Sequence, residues 1–272
     1  MTRVRIPEIT TEDLALIRFA LLGSGSSGNA TLVITPTSKV LIDAGLSFKQ
    51  LQMRAAALGE DLDGLSAVFV THEHTDHVHG IGVLSRKLGT PIFMTEGTRT
   101  ALPASVGDVS NIETFEAGDE VGINGLSVTS FSVSHDATDP VSYTIGHNGA
   151  KLGMAADLGH ASQLVRSRLA HSQALVLESN YCPNMLTTGP YPPQVQQRIR
   201  GRQGHLSNSD MSELLGSLLH HALRLVVLVH VSAENNTHDL VRETAQRALG
   251  KSGVEVFVAR QDQPTSLFEV RP

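Results

Sequence analysis

Residues 67–80 read "AVFVTHEHTDHVHG", an apolar run suited to a buried strand that passes straight into His72, His74, Asp76 and His77. Any fold for this chain must bury that strand and gather four metal-competent side chains at its end. Imidazole and carboxylate donors suit zinc, manganese or iron, and the absence of thiolates from the segment argues against a closed, cysteine-bound structural zinc site. A solvated polar loop is the plain alternative for any one of these histidines taken singly.

Comparable apolar runs recur at residues 17–22, 31–35, 39–42, 126–133, 151–156, 173–178, 224–231 and 254–259. Helical patterns lie between several of them. "SFKQLQMRAAALG" places Phe48, Leu51, Met53, Ala55 and Leu58 on a rough 3.6 period and closes at Gly59, and "DHVHGIGVLSRKLG" closes at Gly89. "SNSDMSELLGSLLHHAL" opens with Ser207 three residues before Asp210, close to a capping box, and "THDLVRETAQRALG" closes at Gly250. Both halves run strands first with helices between, which predicts a pseudo-symmetric sandwich in one domain. The 40% hydrophobic and 18% charged composition is that of an ordinary globular protein. No run of apolar residues is long enough for a membrane span, no signal pattern opens the chain, and Cys182 is the only cysteine, so a cytoplasmic protein without disulfides and without a membrane partner is expected. The net charge of -6 argues against a general affinity for nucleic acid but leaves room for a nucleic-acid substrate at a local basic cluster.

The segment "LLGSGSSGNA" carries Gly23, Gly25 and Gly28 at the G-x-G-x-x-G spacing of a dinucleotide cradle, with Asp43 where a ribose-binding acid would stand. That cradle needs a helix after the loop, because the helix N-terminus holds the phosphates. Here "ATLVIT" follows, a strand-like run, so no nucleotide cofactor is expected. The glycines instead permit a tight hairpin, with Ser26, Ser27 and Asn29 available either to contact substrate phosphate or to anchor the loop.

The H-x-H-x-D-H signature at His72–His77 resembles that of the metallo-β-lactamase superfamily, and the resemblance runs over nearly the whole chain in motif order. Asp43 in "VLIDAG", His135 in "SVSHDA", Asp157 in "MAADLG" and His230 in "LVHVSAENN" stand where the other motifs belong. It implies an αββα sandwich of two mixed sheets flanked by helices, one domain over residues 1–272 with 1–15 as a flexible extension. It further implies two divalent metals per chain, zinc or manganese: His72, His74 and His135 on one, Asp76, His77 and His230 on the other, Asp157 bridging, and Asp43 supporting the histidine loop. Two cations about 3.5–4 Å apart can share a hydroxide and stabilise charge on the attacking and leaving oxygens of an in-line displacement.

"GSGSSGNA", the segment from Glu178 to Asn208 and "HVSAENNT" resemble the YycJ/WalJ-like group, whose members are regarded as 5′ to 3′ DNA exonucleases. The group often has His-Asp where this chain has Tyr181 and Cys182. DNA is therefore the expected substrate, with Asp76, Glu178 and His205 expected in catalysis. In the related ribonuclease Z family a similarly placed glutamate and histidine are proposed to protonate the leaving oxygen, so His205 is the candidate acid and Glu178 its orienter. Packing or capping against the following helix is the other role open to His205. Ser27, Asn29, Asn180, Arg198 and Arg202 are the candidate substrate contacts. On helical spacing Arg198 and Arg202 share a face while Arg200 points away. A lactonase, thioesterase or promiscuous β-lactamase would use the same metals on another substrate, and a binding module with a purely structural metal would need only four closed positions.

Overall fold

The computed structural model describes residues 16–272, and the expected extension at 1–15 lies outside them. Two seven-stranded sheets face each other. The first contains β1 (Ile17–Gly23), β2 (Ala30–Ile34), β3 (Lys39–Ile42), β4 (Ala67–Phe69), β5 (Ile92–Thr95), β6 (Ile112–Phe115) and β14 (Phe268–Val270), in the order β14-β1-β2-β3-β4-β5-β6. The second runs β13-β12-β11-β10-β9-β8-β7, from β7 (Glu120–Ile123), β8 (Leu126–Ser132), β9 (Val141–His147), β10 (Ala150–Ala155), β11 (Ala174–Glu178), β12 (Leu225–Val229) and β13 (Glu255–Val258). Both are mixed, antiparallel at β1–β2–β3 and β8–β9–β10 and parallel at β3–β4–β5 and β10–β11–β12.

The continuous apolar runs follow from burial on both faces. In β11, Ala174 and Val176 enter the core between the sheets while Leu175 and Leu177 pack outward under helices; in β12, Leu225, Val227 and Val229 face in and Val226 and Leu228 face out. On the first sheet Val33, Val40 and Ile42 face in, and Leu32, Ile34 and Leu41 face out. Three apolar layers result, and each fully buried aliphatic side chain stabilises them by about 1.5–3 kcal/mol. Helices α1 (Phe48–Ala56), α2 (Thr75–Val78), α3 (Ile81–Leu88) and α4 (Glu96–Ala101) lie in the first half. The second carries α5 (Gln163–Leu169), α6 (Pro183–Thr188), α7 (Pro193–Arg200), α8 (Asn208–Leu218) and α9 (His238–Leu249). This is the αββα sandwich.

Local chemistry sets several boundaries. The Ser207 hydroxyl caps α8 by accepting the Asp210 N–H at 3.1 Å, and Gly89 ends α3 in the left-handed region at φ 65°. The single helix expected across 76–89 is divided after His79, where Gly80 packs so closely on the Leu46 carbonyl that a Cβ would stand 2.2 Å from it. β1 and β2 form the hairpin expected around the Gly-rich loop. Among the described residues no helix is long and apolar enough to cross a membrane.

Candidate metal centre

Strands of both sheets stop at the same end of the sandwich, and side chains following them converge there. After β3, Asp43 adopts φ 60°, is 4% exposed and turns its carboxylate onto Thr71. Oδ1 accepts the Thr71 N–H at 2.8 Å, and Oδ2 accepts the Thr71 hydroxyl at 2.9 Å and His77 Nδ1 at 2.8 Å. The same hydroxyl lies 2.9 Å from His72 Nδ1. Partners on Nδ1 fix both rings and leave their Nε2 atoms for the centre.

The Gly-rich hairpin is knitted to this loop. The Asn29 N–H donates to the Asp76 carbonyl at 2.7 Å, its side-chain amide donates to Asp76 Oδ2 at 3.1 Å, and its Oδ1 accepts the Gly25 N–H at 2.7 Å. Of the two roles open to Asn29, these bonds are those of an anchor. Ser26 and Ser27 are exposed. Gly45 permits the contact, since a Cβ there would lie 1.6 Å from the Asp76 carbonyl oxygen.

His74 Nδ1 and His135 Nε2 stand 3.3 Å apart, and ligand atoms of His72, His74 and His135 all fall within 4.8 Å of one another. His135 is oriented through Nδ1 by the Gly204 carbonyl at 3.2 Å, and His74 through Nε2 by the Asp136 carbonyl at 3.3 Å. Next to them, His77 Nε2 lies 3.0 Å from Asp157 Oδ2 and 3.6 Å from Asp76 Oδ2, and His230 Nε2 lies 3.9 Å from Asp76 Oδ2. Asp157 sits between the two groups, with ligand atoms of His72, His77 and Asp157 all within 4.8 Å of one another, and its Oδ1 is 3.1 Å from His230 Nδ1 and 3.4 Å from His205 Nδ1. Like Asp43, Asp157 (φ 53°) and His230 (φ 55°) are left-handed, a conformation uncommon outside glycine that re-aims each side chain as its strand ends.

Glu178 ends β11 on the inward-facing parity of Val176 and is fully buried. Its Oε1 accepts from His205 Nδ1 at 2.8 Å and His230 Nδ1 at 3.0 Å, while Oε2 accepts the Leu158 N–H at 3.0 Å and the Leu206 N–H at 3.2 Å. Glu178 is thus bonded to His205 and to His230 at once. Burial works to lower the His205 pKa, but Glu178, with Asp157 and Asp136 behind it, carries it up to about 9. Burial, with neighbouring histidines, holds His72 well below the usual imidazole range, the neutral form a metal ligand needs. Burial also opposes ionisation of Asp157, yet His230, His77 and His205 take its carboxyl well below the usual range.

The residues fit the metals that the resemblance implies. Among the described residues His72 Nε2, His230 Nε2 and Asp157 Oδ2 are buried without a hydrogen-bond partner, although Asp157 Oδ2 stands beside His77, and all three are atoms a cation would engage. The donors are nitrogen and oxygen only, and free Cys182 is at the N-cap of α6, outside the ligand groups.

A cleft of about 510 Å³ opens beside the centre, with Arg198, Arg202 and His160 in its wall. The shared helical face expected of the two arginines is not how they meet. α7 stops at Arg200, because the chain turns through Gly201 and Gly204, where a Cβ on Gly204 would be 2.1 Å from the Ile199 carbonyl. Arg202 lies in that turn, its guanidinium 3.0 Å from His160 Nε2, and Arg200 is bonded to Gln196, away from the cleft. Asn180 is 7% exposed and its amide donates to the His230 carbonyl at 2.8 Å, so it braces a strand end. Sequence reasoning singles out neither Thr71 nor Asp136; adjacency to His72 and His135 is the signal that would have found them.

A family model described as "Beta-lactamase superfamily domain" matches residues 38–231. The chain is 34% identical over 242 residues to Exodeoxyribonuclease YycJ of Bacillus anthracis, covering 88% of this chain and 92% of that protein. It is 34% identical over 264 residues to Exodeoxyribonuclease WalJ of Streptococcus pneumoniae serotype 2 (strain D39 / NCTC 7466), covering 93% and 98%. The structure of the metallo-beta-lactamase fold protein YhfI from Bacillus subtilis superposes with a TM-score of 0.70 at 16% identity, over 94% of this chain and 99% of that one.

Proposed function

Because the chain belongs to the beta-lactamase superfamily, in its YycJ/WalJ-like group, and is a metal-dependent hydrolase, we propose that it cleaves phosphodiesters in nucleic acid as a 5′ to 3′ DNA exonuclease. His72, His74 and His135 would hold one divalent cation, Asp76, His77 and His230 a second, and Asp157 both. The cations, zinc or manganese, would supply an activated water and neutralise charge building on the phosphate.

The observation that carries the reading is the Glu178–His205 pair at 2.8 Å, next to Asp157 and near two cleft arginines. Ester or lactam hydrolysis does not require such a pair. A departing deoxyribose alkoxide does need a proton, and His205 provides it from Nε2, the ring nitrogen opposite the one that Glu178 holds. Arg198 and Arg202 grip the phosphate backbone through charge-assisted bonds. The identities of the two curated relatives favour DNA over RNA.

The test is turnover by metal-reconstituted protein on 5′-labelled duplex and single-stranded DNA, RNA, nitrocefin and a lactone. Release of labelled product from DNA is expected. Efficient cleavage of the lactam or lactone with no nucleic acid turned over would overturn the reading.

A further inference from the structure

Among the described residues Asp136 is the one acidic residue lining the arginine cleft, and it stands between that cleft and the histidine cluster. Its Oδ1 is 3.4 Å from His135 Nε2, and its Oδ2 accepts from Arg198 Nε. The loop that carries it is pinned beyond, where Glu73 Oε1 accepts the Thr138 N–H at 2.8 Å and the Thr138 hydroxyl at 2.7 Å. An anionic oxygen thus stands beside a candidate metal-ligand histidine with a guanidinium on its other side. A substrate phosphate oxygen would seek the same two neighbours.

We propose that Asp136 is a specificity-determining residue that occupies Arg198 in the free protein in place of a substrate phosphate and gives it up when one arrives. The proposal rests on the phosphodiesterase reading above. The Arg198 side chain is 68% exposed and that of Asp136 27%, and an exposed ion pair of this kind is weak enough for a bidentate phosphate to replace it at a severalfold cost in affinity. A neutral lactam or lactone offers Arg198 nothing and meets the Asp136 carboxylate still in the cleft. Simple anions must also displace it, so the acid filters substrates at both ends of the charge scale.

The experiment measures KM and kcat of the metal-loaded enzyme on 5′-labelled DNA, and the inhibition constant of inorganic phosphate, for wild type, Asp136→Asn, Arg198→Gln and the double variant. Asp136→Asn is expected to lower KM and the phosphate inhibition constant by about three- to tenfold, the effect falling on KM more than on kcat. Arg198→Gln is expected to raise KM and to abolish the gain in the double variant. An unchanged or raised KM in Asp136→Asn, a gain that survives Arg198→Gln, or loss of bound metal from both Asp136→Asn and Asp136→Ser would each overturn the proposal. Failure of wild type to cleave any phosphodiester would sink the nuclease reading separately, since phosphate inhibition of whatever substrate is turned over still decides the role of Asp136.

Discussion

On the first sheet, Asp43 gathers Thr71 and His77 beside a run of ligand candidates contiguous in sequence; on the second, Glu178 gathers His205 and His230 from segments far apart in the chain. Both carboxylates are buried, at 4% and 0% exposure, and both hold imidazoles by Nδ1. They differ in what else they hold. Asp43 spends its remaining capacity on one threonine, whereas Glu178 ties the backbone amides of Leu158 and Leu206, following Asp157 and His205 respectively. The first half is a loop of ligand candidates with a support, and the second is a junction where one carboxylate sets a ligand candidate, the candidate acid and two chain segments together. Damage to the first should therefore register in metal content, and damage to the second in proton transfer.

The largest effect expected is that of His74→Ala, which removes a ligand candidate from the first cluster: turnover should fall on the order of a thousandfold or more, with loss of bound metal by elemental analysis. His205→Ala probes the other half. Turnover of DNA should fall by about 10²–10⁴-fold with metal content retained, and the deficit should shrink on an aryl phosphodiester whose leaving group needs no proton. Wild-type turnover in that variant would break the contrast. Thr71→Val takes the hydroxyl from Asp43, His72 and His77 at once and should weaken metal affinity by about 10–100-fold in a chelator competition. The smallest pair concerns the scaffold. Gly45→Ala should cost about 2 kcal/mol or more in denaturant unfolding, because its Cβ collides with Asp76, while Gly122→Ala on the exposed edge strand β7, with nothing within 4 Å, should stay within about 0.5 kcal/mol.

What the sequence discloses follows the same division. The strands buried on both faces, β2, β3, β11 and β12 among them, announce themselves as apolar runs. β6 and β7 are edge strands with half their residues exposed, Glu113 and Thr114 side by side in β6 and alternate residues in β7, and β9 buries Ser142 and Thr144 in place of apolar side chains, Ser142 donating to the Met154 carbonyl at 2.7 Å. Neither pattern forms a continuous run. Likewise His72, His74, Asp76 and His77 declare themselves by spacing. Glu178 is recognisable only through resemblance, since a glutamate closing a strand is unremarkable until its four partners are seen. The dual service of Glu178 to His205 and His230, and the bracing parts of Thr71, Asn29 and Asn180, are properties of three-dimensional approach and have no periodicity to betray them.

Asp43, Asp157 and His230 each leave their strands through left-handed backbone. Anyone transplanting this centre into another sandwich would find residue identity and spacing insufficient. The recipient would need strands that terminate in the same unfavourable bend, at roughly 1–2 kcal/mol per residue, and a host fold stable enough to enforce it three times over.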